Sequence, residues 1–418
     1  MSKLTCDDIR VIPAGKMIKE EILKKYNSLS EFADEINLYE NSIIKYLDSK
    51  KGGSDPFKLK LVSKLGKGYD EIVIPKEVQI RSFVRNISEN IGLYTDAEDL
   101  YTLEKLKKLC LKNKMEVEAA QMLRNMGMNY FYQSITYTAR EMVKLAIDML
   151  ADKCRDNLIL EYYSDLGLIC FYDNDYTESR KAFENAETML KYTEVSDNIK
   201  FLLKYRYGIL LNNTGKQEQA RTKFSEAVEL APSNYYVGKA VMNIGTTFAN
   251  GKKYDFDKAI EYYKKSLEYF EADDQASMST INNNIAEVYK LMEEYEPALE
   301  YIEKAMEYVK NSNKQKYFIY LLTFTQIKLK VSGRNDAINV LFDEIESSFE
   351  LFIYRKHLID GIKVVWQFTL DNSDIVNIIR LKDMLIKALL NEKDTEFIKE
   401  VKTLLCDILL FLHEGGTL

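Results

Sequence analysis

Histidine is scarce in this sequence, with only His357 and His413 among 418 residues. Two histidines leave little material for a Ser-His-Asp triad, an H-E-x-x-H zinc site or another His-bearing metal centre. The sequence also contains no Gly-rich phosphate loop. Its 65 acidic residues are spread along the chain, and acidic residues on helix faces are far more often solvated than catalytic. We therefore expect no enzymatic activity, no metal and no cofactor.

Cysteines are few and scattered. The five are Cys6, Cys110, Cys154, Cys170 and Cys406. Their number is odd and no pair has the Cys-x-x-Cys spacing, so the pattern indicates neither a disulfide framework nor a zinc site. We interpret them as thiols buried in the core.

Helix breakers and long apolar runs are also scarce. Only 5 prolines occur, although 46% of the residues are hydrophobic, and this balance favours long helices over many short strands. No run approaches the roughly 18 uncharged apolar residues that a membrane span requires. The first residues, 1–15, lack the apolar region of a signal peptide. We therefore expect a cytoplasmic protein that does not contact membranes.

The charge is distributed unevenly along the chain. The net charge is −7, yet residues 16–68 contain 11 lysines against 8 acidic residues. A modestly basic N-terminal part on an acidic body is expected when one end of a protein contacts nucleic acid.

A pattern of five residues recurs along the middle of the chain. A small residue is followed at offsets 3, 12, 16 and 19 by residues that are mostly apolar, small, large and small. The five units are Gly127, Tyr130, Ala139, Val143, Ala146; Gly167, Cys170, Ser179, Phe183, Ala186; Gly208, Leu211, Ala220, Phe224, Ala227; Gly245, Phe248, Ala259, Tyr263, Ser266; and Ala286, Tyr289, Ala298, Ile302, Ala305. In the fourth unit a two-residue insertion in NGKKYDFDKAI delays the last three positions.

These residue types suit stacked helical hairpins. Small residues allow two antiparallel helices to approach closely, and large residues fill the gap between neighbouring hairpins. The pattern resembles the tetratricopeptide repeat (TPR), most closely in the unit that runs from Gly208 to Pro232. Weaker helix pairs extend the array over residues 77–114 and 317–412. The sequence thus predicts an all-α fold with a TPR right-handed α-solenoid over residues 76–418.

The TPR resemblance implies a peptide-binding groove. In TPR proteins the position two residues before the small residue points inward, and here it holds Asn125, Asp165, Arg206, Asn243 and Asn284. Neighbouring candidates are Arg124, Tyr205, Lys239, Met242 and Asn283. An amide both donates and accepts hydrogen bonds, so a row of amides can clamp an extended peptide by its backbone. The basic residues Arg124, Arg206 and Lys239 could bind a ligand carboxylate. The alternative is that asparagine at this position only satisfies local turns.

The N-terminal residues 16–72 break the repeat and read as four or five short helices, with Ser28 or Ser30 as a helix cap. The segment LSEFADEINLYENSIIKYLDSKKG resembles the helix-turn-helix of phage-repressor or XRE-like proteins. Its matching positions are Phe32 and Ala33, Asn37 at the turn, Leu38, and Ile43, Tyr46 and Leu47 in the core. The resemblance implies an all-α DNA-binding domain over residues 1–75, a helix-turn-helix bundle.

The second helix of this motif would enter the major groove of DNA. Its exposed residues are expected to be Tyr39, Glu40, Asn41, Ser42 and Lys45. Asn41 could bond an adenine edge and Lys45 a guanine or a phosphate. Lys50 and Lys51 would contact phosphates, which contribute affinity without sequence information. The alternative is a helical head that contacts protein.

A helix-turn-helix head joined to a long TPR array resembles the RRNPP family of Gram-positive quorum-sensing receptors and the related arbitrium receptors of phages. The resemblance implies a homodimeric transcriptional regulator that binds operator DNA through its head and a short signalling peptide in its groove. Two alternatives remain. A Rap-like protein would bind and inhibit a response regulator through its helical head, and a TPR scaffold would recruit proteins without a signal peptide.

Overall fold

The computed structural model of the protein describes residues 3–48, 56–153, 155–250, 254–271, 273–309, 314–332, 336–348, 355–391 and 395–414. All regular structure in these ranges is helical, with 22 α-helices and a short 3₁₀ helix at Ile91–Leu93. The predicted all-α class is confirmed. The chain divides into two compact units, residues 1–210 and 211–418. No helix of the described ranges is long and apolar enough to cross a membrane.

The first unit begins with a head of five short helices. They are α1 (Ala14–Lys25), α2 (Leu29–Glu35), α3 (Glu40–Leu47), α4 (Pro56–Lys64) and α5 (Tyr69–Ile72). These helices surround their own apolar core, in which Ile18, Ile22, Phe32, Ile43 and Leu61 are fully buried. The domain boundary predicted after residue 75 remains a prediction.

The turn predicted at Asn37 is present between α2 and α3. The hydroxyl of Ser28 caps α2 by accepting the Glu31 N–H at 3.1 Å. After α2, Asn37 adopts a left-handed conformation with φ of 54°, and the Leu38 N–H donates to the Ala33 carbonyl at 2.9 Å. Asparagine tolerates this conformation better than other residues that carry a Cβ, so it can stand where glycine is usual.

The core position predicted for Tyr46 is wrong. Tyr46 is 40% exposed, and its ring centroid lies 4.2 Å from that of Phe57 on α4. Ile43 and Leu47 are one helical turn apart and form the buried stripe of α3, which leaves Tyr46 at the edge of that stripe.

The rest of the first unit consists of longer antiparallel helices. They are α6 (Lys76–Glu89), α7 (Asp99–Lys112), α8 (Glu116–Tyr132), α9 (Thr136–Leu150), α10 (Asp156–Tyr172), α11 (Tyr176–Leu190) and most of α12 (Asp197–Asn213). A Cβ atom placed on Gly127 would lie 2.7 Å from Val143, and one on Gly167 would lie 2.7 Å from the Phe183 ring. The small residues therefore permit close helix packing, as predicted.

One turn geometry repeats at a fixed place in the units. The residue seven positions after the small residue has a positive φ in four of the five units, at Ser134, Asn174, Gly215 and Glu293. The next N–H then donates to the carbonyl five residues earlier, as from Asp175 to Cys170 at 2.9 Å. This arrangement closes the end of the first helix with a left-handed residue in these four units.

The second unit continues the hairpins. Its helices after the end of α12 are α13 (Gln217–Leu230), α14 (Asn234–Ala249), α15 (Phe256–Leu267), α16 (Gln275–Leu291), α17 (Tyr295–Val309), α18 (Lys314–Ser332), α19 (Asp336–Ser348), α20 (Arg355–Asp371), α21 (Ile375–Asn391) and α22 (Thr395–His413). The predicted two-residue insertion is confirmed, because the Asp255 N–H donates to the Phe248 carbonyl seven residues earlier.

Candidate functional site

The inward row of the sequence prediction comprises residues 125, 165, 206, 243 and 284. In the first unit this row is held by a chain of charged contacts. Asp165 accepts hydrogen bonds from Arg124 Nε at 2.7 Å and from Arg206 Nη1 at 2.8 Å, on either side of α10. Arg124 also contacts Glu161 at 3.2 Å, and Arg206 also donates to the Ser164 hydroxyl at 3.1 Å. Three successive first helices are thereby joined through one carboxylate.

This carboxylate is removed from solvent. Only 1% of the Asp165 side chain is exposed, against 11% and 16% for Arg124 and Arg206. Burial alone would raise the pKa of Asp165, but the two guanidinium groups outweigh it and hold that pKa below its ordinary value. At the edge of the cluster, burial dominates and raises the pKa of Glu161 despite Arg124. Asp165 is therefore the fixed negative centre of the row.

Asn125 is also fully buried. Its amide donates to the Ser88 hydroxyl on α6 at 2.9 Å, and its carbonyl oxygen accepts from Arg124 at 3.2 Å. Ser88 in turn lines a cleft of about 450 Å³, together with Arg81, Arg85, Gln121 and Arg155 and others. The amide of Asn125 thus bonds to a side chain that lines this cleft.

The inward residues of the second unit are less enclosed. Asn243 is half-buried and donates to the Lys239 carbonyl of its own helix at 2.9 Å. Asn284 is half-buried, and its side chain forms no hydrogen bond with the described residues. The buried Oδ1 of Asn283 likewise has no hydrogen-bond partner among the described residues. Met242 is half-buried against the apolar cluster of α14–α16.

Two lysines lie near one another in this unit. The Lys239 ammonium lies 5.0 Å from the centre of the Tyr235 ring. Lys316 on α18 is half-buried and donates to the Ala276 carbonyl at 3.3 Å and to the Thr280 hydroxyl at 3.0 Å. Burial, followed by the charge of Lys239, lowers the pKa of Lys316. The ammonium groups of Lys239 and Lys316 therefore lie near one another, with Asp274 also close to Lys316.

Two exposed tyrosines were not predicted as site residues. Tyr132 and Tyr172 are 42% and 50% exposed and occupy the same offset, five after the small residue, in consecutive units. Burial and then the charge of Asp165 raise the pKa of Tyr132, which places it beside the charged row. Both tyrosines lie two helical turns after the inward position of their unit. Their shared offset could have been recognised in the sequence. The predicted Tyr205 is half-buried and stacks on Phe201 at 5.6 Å.

The residues predicted for DNA contact lie along the start of α3. Tyr39 is 85% exposed, Glu40, Asn41 and Lys45 are exposed, and Ser42 is half-buried. Lys50 and Lys51 lie outside the described residues. Residues 29–48 contain five acidic residues against Lys45 as the one cation, so the α2–α3 surface is acidic although the segment 16–68 is basic.

Residues 243–311 match the tetratricopeptide repeat family. The hairpins form a TPR-type solenoid. No curated protein matches the sequence significantly. Solved structures that it resembles include aspartyl phosphate phosphatase F from Bacillus subtilis, at 18% identity and a TM-score of 0.49, covering 93% of this chain and 95% of that one. The apo quorum sensor NprR from B. thuringiensis has 13% identity, a TM-score of 0.48, and coverage of 80% and 99%. Apo RapI has 15% identity, a TM-score of 0.48, and coverage of 71% and 99%.

The thiols packed between the TPR helices are not activated. Burial raises the pKa of Cys110 to about 12 and that of Cys170 to about 11. The thiolate is the reactive form of cysteine, so both residues serve packing. The core position predicted for the cysteines is confirmed for Cys110 and Cys170 but wrong for Cys406, which is exposed; Cys6 is half-buried, and Cys154 lies outside the described residues. In the described ranges no group of three or more His, Cys, Asp or Glu side chains is placed to hold a metal ion.

Proposed function

We propose that the protein is a peptide-responsive transcriptional regulator that acts in the cytoplasm. A short signalling peptide binds along the inward row of the TPR solenoid, and operator DNA binds the head. The observation that carries the peptide site is the set of polar side chains on α14 and α16, where Asn283 and Asn284 retain hydrogen-bonding capacity.

In this proposal the second unit makes the principal peptide contacts. A half-buried amide can donate to and accept from the backbone of an extended peptide, as Asn284 and Asn243 would. Met242 offers an adaptable apolar contact. The neighbouring ammonium groups of Lys239 and Lys316 suit a carboxylate of the peptide, since charge-assisted hydrogen bonds are stronger than neutral ones.

The residues of the first unit that were predicted to contact the peptide have different roles in this proposal. Asn125 and Asp165 are fully buried and already bonded, so we propose that they shape the groove. Arg124 and Arg206 retain small exposed fractions and guanidinium groups carry five donors, so each can present one further N–H to a peptide. Tyr205 would line the groove by its ring.

For the head we propose that α3 reads the major groove of DNA. Its support is the tight turn at Asn37 and the exposure of Tyr39, Glu40, Asn41 and Lys45 on one short helix. Asn41 would bond a base edge, Ser42 and Tyr39 would contact the backbone, and Lys45 would contact a base or phosphate. Lys50 and Lys51 would add phosphate contacts.

A second candidate for the head is a protein partner, such as a response regulator. The acidic α2–α3 surface favours it, because clustered carboxylates repel phosphates and attract basic protein surfaces. A protein-binding head would leave the peptide site unchanged and would alter only the target that the peptide controls.

We also propose that the regulator is a homodimer in which the C-terminal helices of two copies of the chain pack against each other. Several large apolar side chains are exposed on α21 and α22: Val376 and Leu410 are 77% and 59% exposed, and Ile379 and Leu409 are 42% and 47% exposed. Exposed apolar patches commonly mark protein interaction sites. We propose that a second copy of this chain covers this apolar surface, because a dimer would present two heads to two operator half-sites.

Two binding measurements on the full-length protein test the proposal. The first screens a synthetic library of short peptides, and the second selects binders from a pool of random DNA duplexes at low salt. We expect an enriched peptide and an enriched DNA motif with two half-sites. Enrichment of a peptide but no DNA, with or without that peptide, would favour the protein-binding head. If the library yields no enriched peptide, the proposed peptide-binding groove is refuted.

A further inference from the structure

The segment before the head, residues 3–13, lies against the first TPR helices. Ile9 is 3% exposed and belongs to the same apolar cluster as Ile80 on α6 and Leu103 on α7. Leu4 and Val11 pack against this cluster from the same segment. The burial of these apolar side chains against two helices anchors the segment.

Hydrogen bonds fix the beginning of this segment to the region of α7. The Tyr94 hydroxyl accepts the Leu4 N–H at 2.8 Å and donates to the Leu4 carbonyl at 3.2 Å. The Lys3 ammonium contacts the buried carboxylate of Asp99 at 2.5 Å. Lys105 donates to the Cys6 carbonyl at 2.6 Å. Main-chain groups are thus bound by side chains of the solenoid in a specific register.

The end of the segment is bound by a single glutamine of α6. Gln79 accepts the Ile12 N–H at 2.7 Å and donates to the Ile12 carbonyl at 3.1 Å. It also donates to the Ile74 carbonyl at 2.9 Å. Gln79 is 8% exposed, so it ties together the two chain segments that enter and leave the head.

The first helix of the head, α1, begins immediately after this attachment and packs tightly against α3. A Cβ atom on Gly15 would lie only 1.7 Å from the carbonyl oxygen of Leu47, the last residue of α3. The Ile74 N–H contacts Met17 Sδ at 3.4 Å. Ile9 thus packs with Ile80, Ile12 is bound to Gln79, and three residues further along the chain Gly15 packs against the end of α3.

We propose that residues 3–13 are a strap that fixes the orientation of α3 relative to the first TPR helices. Without it, the head would be joined to α6 through residues 73–75 alone, and a connector of three residues allows rotation. With it, a rearrangement of α6 and α7 moves α3 as part of the same body. The use of this coupling in regulation rests on the proposed function, but the coupling itself does not depend on what α3 binds.

Distance measurement between α3 and α7 in the full-length protein tests the strap. Spin labels at Asn41 and Tyr101, both exposed, would be attached to a chain in which Cys6, Cys154 and Cys406 are replaced by serine. Ile9→Asp removes the apolar anchor, and Gln79→Ala removes the link at Ile12 and Ile74. Arg10→Ala is the control, because Arg10 lies next to Ile9 but is exposed.

We expect one narrow distance distribution in the parent and in Arg10→Ala, and a distribution about twice as wide in Ile9→Asp and Gln79→Ala, because local attachments open independently of the remaining fold. If Ile9→Asp does not fold, Gln79→Ala decides alone, since its change is milder. A distribution that stays narrow in Gln79→Ala and in any folded Ile9→Asp protein would overturn the strap. Neither outcome depends on peptide or DNA binding, so failure here is distinguishable from failure of the proposed function.

Discussion

Arg124 and Asp165 form an ion pair of 2.7 Å in which nearly all of both side chains is buried. Removing one partner of a buried pair leaves an uncompensated charge, at a typical cost of about 3–5 kcal/mol. We therefore expect Asp165→Ala to lower the free energy of unfolding by that order, since Arg124 and Arg206 would both lose their shared carboxylate. Chemical denaturation followed by circular dichroism measures this change.

The exposed pair of Arg85 and Glu89 provides the matched control. It also spans 2.7 Å, but its side chains are 79% and 52% exposed. Surface pairs contribute only about 0–1 kcal/mol, so Glu89→Ala should leave stability nearly unchanged. Equal effects of Glu89→Ala and Asp165→Ala would contradict the burial of the Asp165 cluster.

The Asp165 cluster should also make stability depend on pH. The pKa of Asp165 is lowered in the folded protein, so the charged carboxylate contributes stability above the unfolded pKa of about 3.9, and this contribution is lost as pH falls through the folded pKa. Asp165→Asn removes it. We expect the difference in unfolding free energy between the parent and Asp165→Asn to be constant near neutral pH and to shrink in acid. A difference that grows on acidification would have the wrong sign.

Because the helices pack closely at Gly167, adding a single methyl group there should lower the stability of the fold. A Cβ there would lie 2.7–2.9 Å from three atoms of the Phe183 ring, and overpacking typically costs about 1–3 kcal/mol. We expect Gly167→Ala to lower the melting temperature. Gly92→Ala is the control, because a Cβ at Gly92 meets nothing within 4 Å. Recovery of part of the stability in Gly167→Ala with Phe183→Leu would identify the ring as the cause.

The repeat pattern predicted much of the packing because the same local contacts recur in each unit. Ala139, Val143 and Ala146 are fully buried, and among their counterparts in the other four units the most exposed is Tyr263, at 2%. The insertion before Asp255 was also predictable, since it changes a spacing that the other units share. Periodicity of this kind is readable from sequence alone.

Features that depend on partners distant in sequence were not predictable. Asp165 is enclosed because Arg124 and Arg206, each 41 residues away, converge on it. Nothing in the local sequence distinguishes this aspartate from an inward-facing ligand contact. The strap also lacks periodicity, and its register is set by Tyr94 and Gln79.

The proposed peptide site predicts separate effects for amides on α14 and α16. We expect Asn284→Ala and Asn243→Ala each to weaken binding of the best peptide from the synthetic library several-fold, since one hydrogen bond contributes about 0.5–1.5 kcal/mol. Calorimetry would measure the affinity. Asn372→Ala is the control, because Asn372 is exposed and its side chain bonds only to the Phe368 carbonyl of the preceding helix, α20. Unchanged affinity in both test variants would refute the amide clamp.

The proposed DNA contact predicts opposite effects for neighbouring residues of α3. Asn41→Ala should relax preference at one base pair, with a typical cost of about 1–3 kcal/mol, whereas Lys45→Ala should weaken binding and flatten its salt dependence if Lys45 contacts phosphate. Glu40→Gln should strengthen binding to all duplexes, because it removes a negative charge from an exposed position near the phosphates. Binding of the full-length variants to the selected duplex and to a scrambled one, at two salt concentrations, separates these effects. If the head instead binds a basic protein surface, Glu40→Gln should lower the affinity for that protein. In that case neither the parent nor the variant should bind DNA at any salt concentration.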